Sequence, residues 1–126
     1  EQGMGSQMKV VNQLLCGVHI AAAGEALAMA KRAGLPLETT LEILKSGAAS
    51  SWMLGDRGNR MITESFDDVT SAVDIFVKDL GLVLDAAREQ TFAASMAHAA
   101  FLQFTTSSSH GLGRLDDAAV IKNYTD

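Results

Sequence analysis

A chain of 126 residues, 48% hydrophobic and 20% charged, has the length of one domain or of one part of a larger enzyme. That composition, with a mean hydropathy of +0.14, excludes an intrinsically disordered chain. Ten basic against fifteen acidic residues leave a net charge of -5, which argues against nucleic acid as a partner. The single cysteine, Cys16, excludes an internal disulfide or a cysteine-rich zinc site, and it fits a reducing, cytoplasmic setting.

The opening, Glu1-Gln2-Gly3-Met4-Gly5, has no initiator methionine, no basic segment and no secretory apolar run, and reads as a cut inside a longer chain. From Gly5 to Ala33 no proline occurs and good helix formers dominate, which predicts one long helix. Its middle is apolar nearly all round (Val10, Val11, Leu14, Leu15, Val18, Ile20), so burial is expected. Gly17 and Gly24 would let other helices approach closely. The nearly apolar stretch Leu14 to Gly24 is short of the ~20 residues that span a bilayer, so no membrane is expected. Gly34 stops the helix, and Pro36 suits the first turn of a second one carrying Leu37, Leu41 and Leu44, closed by Gly47. Ser50 or Ser51 is placed to cap a third helix through Trp52, Leu54 and Met61. Thr63 to Ser71 is polar and irregular. Val73 to Val77 reads equally as an extended segment or a first helical turn. A helix follows from Lys78 with Leu80, Val83, Leu84 and Ala87 on one face, then another from Thr91 to about Thr106. His110 falls in a loop, Gly111-Leu112-Gly113 is a turn, and Asp116 or Asp117 caps a last short helix with Val120 and Ile121. The fold class is all-α, a helical bundle of five to seven helices built around the long first one.

Gly3-Met4-Gly5-Ser6-Gln7-Met8 fails as a dinucleotide fingerprint: no strand precedes it, and Met8 stands where the third glycine belongs. Lys9, Asn12 and Gln13 share one helix face at i, i+3 and i+4. They form either a solvated helix end or a lysine flanked by two amides that orient a polar substrate. Lys78 and Asp79 open a predicted helix, where Asp79 suits the positive end and Lys78 does not. His19, His98 and His110 show no metal-ligand spacing. His19 and His98 are expected to pack between helices, and Cys16 to be a small buried hydrophobe.

Gly3-Met4-Gly5-Ser6-Gln7-Met8-Lys9-Val10-Val11-Asn12-Gln13 resembles the Gly-x-Gly-x-x-x-Lys-x-x-Asn-Asn segment of the β-hydroxyacid dehydrogenases, and Val77-Lys78-Asp79-Leu80 resembles their Lys-Asp-Leu segment. Glu25-Ala26 and Ala33-Gly34-Leu35 also fit. The resemblance covers the whole chain and only the C-terminal helical domain of that family, like the corresponding domain of 6-phosphogluconate dehydrogenase. It implies an N-terminal Rossmann domain that this chain lacks. It also implies NAD or NADP as cofactor, a small hydroxy acid as substrate, and subunit contacts through the helical domain. Lys9 would then be the catalytic base, taking the substrate's hydroxyl proton as hydride leaves for the nicotinamide. Asn12 and Gln13 would hold the substrate, and Lys78 would reach the cofactor. The segments Val18-His19-Ile20-Ala21-Ala22-Ala23, Ser51-Trp52-Met53 and Ser71 to Asp79 resemble the branch acting on a four-carbon sugar acid such as L-threonate at C2. Gln13 in place of the second Asn, and Ser71 near a usual aromatic position, fit a hydroxylated substrate better than simple 3-hydroxyisobutyrate. A 3-hydroxyisobutyrate or tartronate semialdehyde enzyme, or a non-catalytic oligomerisation module, are the other readings. The apolar excess of so small a domain predicts a homodimer or larger homo-oligomer with the first helix central.

Overall fold

A computed structural model describes residues 3–125; Glu1 and Gln2, the first two residues of the opening, and Asp126 lie outside it. Five α-helices follow in order: α1 (Met4–Arg32), α2 (Leu37–Lys45), α3 (Trp52–Thr63), α4 (Val73–Glu89) and α5 (Ser95–Ser107). A π turn (Ser108–Leu112) prolongs α5, and a 3-10 helix (Asp117–Asn123) closes the chain. No strand forms among the described residues; one isolated antiparallel bridge joins Ala72 to Asp116. This is the all-α bundle that the pattern predicts.

Local chemistry accounts for most boundaries. Gly34, at φ 80°, takes the left-handed position that ends α1, and Pro36 immediately precedes α2. The Ser51 hydroxyl accepts from the Leu54 N–H at 3.0 Å and caps α3. The Asp116 carboxylate accepts from the Ala118 N–H at 3.1 Å and caps the 3-10 helix. One open reading is resolved and two expectations are corrected. Val73 to Val77 is the first turn of α4 rather than an extended segment; the Ala72–Asp116 bridge holds the chain extended just before it, with Val73 N–H donating to the Leu115 carbonyl at 2.9 Å. α5 starts at Ser95 rather than Thr91, which sits at φ 53° in the turn after α4. His110 lies in the π turn rather than a loop.

α1 is the spine, packing against α3, α4, α5 and the 3-10 helix. It is not buried along its length as its composition predicts. Its first buried residue is Gly17; from there Ile20, Leu27 and five small residues enter the core. Gly17 faces Leu80 of α4, and Gly24 faces Val120 and Ile121, so a side chain at either position would press on those neighbours. By length and composition this helix passes for a membrane span, a test that the core helix of a globular bundle passes equally. The Phe76 and Phe104 rings stack at 5.2 Å between α4 and α5.

The 3-10 helix is fixed by charge. Asp116 and Asp117 are wholly buried. Arg57 donates to both Asp117 oxygens at 3.0 Å, and Arg60 Nε donates to Asp116 Oδ2 at 3.0 Å. Burial pushes the Asp117 carboxyl up more than Arg57 pulls it down. Burial also pushes Asp116 up, but the N–H groups of Thr70 and Ala118 with the Arg60 guanidinium outweigh it, holding that carboxyl below the usual range.

Two outcomes follow from this cluster. Asp117→Ala leaves buried Arg57 with the Asp56 carboxylate, at 2.8 Å, as its remaining partner and should cost up to about 3–5 kcal/mol, read by urea denaturation; a loss under 1 kcal/mol would mean that Asp56 alone compensates the guanidinium. Asp116 has a folded-state pKa below its unfolded value of ~3.9, so its contribution is complete above that value and is lost as pH falls through the folded one. The stability gap between the wild type and Asp116→Asn should therefore narrow below pH ~4.

Candidate active site on the first helix

The N-terminal half of α1, before Gly17, has no buried residue and meets the bundle core only through the partly buried Val10, Leu14 and Cys16. Lys9 and Asn12 are exposed there, and Gln13 is half-buried. The three share a face, as their spacing requires. What fixes Asn12 and Gln13 is a chain of side-chain bonds. Asp79 of α4 accepts from Gln13 Nε2 at 2.8 Å. A carboxylate only accepts, so it settles which end of the Gln13 amide points toward α4. Gln13 Oε1 is thereby free to accept from Asn12 Nδ2 at 3.0 Å. Asn12 Nδ2 also lies 3.5 Å from Cys16 Sγ.

Gln13 has one N–H and one lone pair of its amide engaged, on Asp79 and on Asn12, and so it orients Asn12. Asp79 is not a cap: it lies in the second turn of α4, and Asp74 occupies the acidic first-turn position. Lys78, also in the second turn, is exposed and loses the argument from a cation at a helix start. The Gln13–Asp79 bond nevertheless sets the turn of α4 carrying Lys78 beside the turn of α1 that follows Lys9.

Asn12 also opens onto a cleft of about 660 Å³ between α1 and the α2–α3 connection. Cys16, His19, Ser50, Ser51 and Met53 line it with Asn12. Asn12, Cys16 and His19 recur at i, i+4 and i+7, a stripe on one helix face that the spacing itself contains. Cys16 and His19 are therefore half-buried cleft residues, not core ones, and His98 is exposed rather than packed between helices. Ser71 is not among the residues lining this cleft; its carbonyl accepts from the Asp117 N–H at 2.7 Å beside the buried charge cluster. No group of histidine, cysteine and carboxylates able to hold a metal ion occurs among the described residues.

Comparison with known proteins adds the family. The family model described as "NAD-binding of NADP-dependent 3-hydroxyisobutyrate dehydrogenase" matches residues 3–124. L-threonate dehydrogenase of Escherichia coli K12 is 46% identical over 125 residues, covering 99% of this chain and 41% of the relative. The 2-hydroxy-3-oxopropionate reductase of the same organism is 33% identical over 122 residues, covering 95% and 41%. The crystal structure of a 3-hydroxyisobutyrate dehydrogenase from Salmonella typhimurium superimposes with a TM-score of 0.94 at 47% identity, over 96% of this chain and 42% of that one. The chain thus spans about two-fifths of the length of the relatives it matches. With a match that runs through all the helices, from the turn before Lys9 to Tyr124, the chain belongs to the 3-hydroxyisobutyrate dehydrogenase family.

Proposed function

We propose that this chain is the lysine-bearing helical part of an NAD(P)-dependent dehydrogenase that oxidises a small hydroxy acid, a four-carbon sugar acid such as L-threonate at C2. The observation that carries the reading is the Asp79–Gln13–Asn12 relay, which holds an oriented amide one turn from an exposed lysine. The identity to L-threonate dehydrogenases supports the choice of substrate.

The described residues include no strand leading into a glycine-rich turn, so a dinucleotide pyrophosphate has no cradle here. Exposed Lys9 and Lys78 and the amide of Asn12 fit the reactive end of such a cofactor, with a Rossmann domain outside this chain holding the rest. The bound nicotinamide supplies the hydride acceptor. Lys9, as a free amine, takes the proton from the hydroxyl at C2 and returns it in the reverse direction. Asn12, its Nδ2 steered by Gln13, presents its remaining polar capacity to the hydroxyl or carboxylate of the substrate. Lys78 approaches the cofactor from α4. The working enzyme is a homo-oligomer.

In the enzyme containing this chain joined to its dinucleotide-binding domain, Lys9→Ala should lower kcat by ~10²–10⁴-fold with cofactor affinity kept; a near-normal kcat would remove Lys9 from the chemistry. Lys78→Ala should raise the KM for the dinucleotide more than it lowers kcat, and an unchanged KM would leave Lys78 a solvated surface charge. Gln13→Leu should raise the hydroxy-acid KM about 10-fold, the equivalent of one lost hydrogen bond, with little effect on cofactor binding. If instead cofactor KM moves and the hydroxy-acid KM does not, the relay serves the dinucleotide. The 126-residue chain alone, mixed with NAD and L-threonate, should form no NADH.

A further inference from the structure

Lys78 stands on α4 among three aspartates, Asp74, Asp79 and Asp85. An aspartate four residues before a lysine, as Asp74 is before Lys78, has the helical spacing that favours an ion pair. Lys78 nevertheless makes no ion pair among the described residues. Each carboxylate is engaged elsewhere. Asp79 accepts from Gln13 Nε2 at 2.8 Å, and Asp85 from Arg88 at 2.8 Å. Asp74 accepts from the Ser108 hydroxyl at 2.6 Å. Gly113 completes that hold: its Cα lies so close to the Asp74 carboxylate that a Cβ there would overlap both oxygens. The Gly113 carbonyl also accepts from the Asp74 N–H at 3.0 Å. Backbone and side chain of Asp74 are thus both turned onto the π turn and the glycine that follows it.

We propose that Asp74, latched by Ser108, is a positioning residue for Lys78: the latch keeps a carboxylate off the lysine, so that its ammonium meets an anionic cofactor unneutralised. The two partners compete for one acceptor. Asp74 and Lys78 are both exposed, and an exposed ion pair gains little over two solvated charges. One short hydrogen bond to a charged acceptor is therefore enough to hold Asp74 away. Without the Ser108 hydroxyl, Asp74 is free to turn to Lys78, and an incoming phosphate has to displace it. No other element supplies a carboxylate in its place. The π turn contributes His110, and the facing turns of α1 contribute Lys9 and Cys16. The turns of α5 opposite, from Phe101 to Ser107, contribute no titratable group. The 3-10 helix contributes Lys122 and Asp117, and Arg57 holds Asp117.

The proposal rests on the reading of Lys78 as the lysine that approaches the cofactor, and two readouts separate the two. In the enzyme containing this chain joined to its dinucleotide-binding domain, Ser108→Ala should raise the KM for the dinucleotide about 2–5-fold with kcat kept, the scale of one exposed ion pair. In the same enzyme without ligand, the pH midpoint for acetylation of Lys78 by acetic anhydride, read by peptide mass spectrometry, should rise by roughly 0.3–0.7, the same factor on a logarithmic scale. The sign is upward because a neighbouring carboxylate favours the charged amine. Ser108→Ala/Asp74→Asn should return both values to those of the wild type, since an amide does not neutralise the lysine. A latch that only braced the π turn would give the opposite result, because the second substitution would deepen the defect. Failure of that rescue, or a Ser108→Ala enzyme in which the midpoint stays, would overturn the proposal. A midpoint that moves and is rescued while the KM stays would keep the latch and overturn the cofactor reading of Lys78.

Discussion

The buried pairing of Arg57 with Asp117 and of Arg60 with Asp116 is the constraint on which the architecture turns. Two carboxylates without solvent exposure would be intolerable unpaired, so the 3-10 helix has one acceptable place, against the arginine face of α3. Once there, its own backbone and Val120 press on Gly24, and α1 is gripped between α3 and the C-terminus. Asp116 works in three directions: it accepts from Arg60, caps its own helix, and accepts from the Thr70 N–H at 2.9 Å. The Ala72 bridge and the start of α4 follow from that third contact and from the Asp117 N–H bond to Ser71. The position of Asp79, and with it the orientation of Gln13, descends from the same cluster through α4.

What the sequence makes legible is what depends on neighbours in sequence. The Ser51 cap, the stop at Gly34 and the close approaches at Gly17 and Gly24 are local chemistry, and all are found in the structure. The start of α4 is not local: Val73 to Val77 has the β-branched content of a strand, and Asp116 some forty positions later decides that the extended part ends at Ala72. The arginine–aspartate cluster spans 56 and 60 positions, a separation at which no periodicity speaks. Two arginines three apart beside Leu54 and Met61 were the available hint, and such a pair reads as a solvated face without a partner in view.

The site divides along the same line. The common face of Lys9, Asn12 and Gln13 is set by helix geometry alone and was readable. The bond that orients Gln13 toward Asn12 depends on a carboxylate 66 positions away. Apolar composition also misled about α1: it predicts burial, whereas the structure buries only the half beyond Gly17. Composition reports how much apolar surface must be covered and is silent on which molecule covers it.

That half-buried helix explains how a lysine beyond the bundle edge can hold a defined position. A free helix of a dozen residues is marginal in water because its first turn is costly to form. The segment before Gly17 avoids that cost, since it propagates from a helix already anchored in the core between Ile20 and Ala30. Propagation fixes the backbone, and the Gln13–Asp79 bond fixes the rotation of that segment about α4 one turn from Lys9. The protruding segment divides by face: Val10 and Leu14 pack toward the core, Asn12 and Leu15 line the cleft, and Met4, Met8 and Val11 are exposed. A single straight helix can serve all three because 3.6 residues per turn place them at well-separated angles. A kink near Gly17 would rotate the faces out of phase together, which is why an uninterrupted helix from Met4 to Arg32 is the feature that couples the site to the fold.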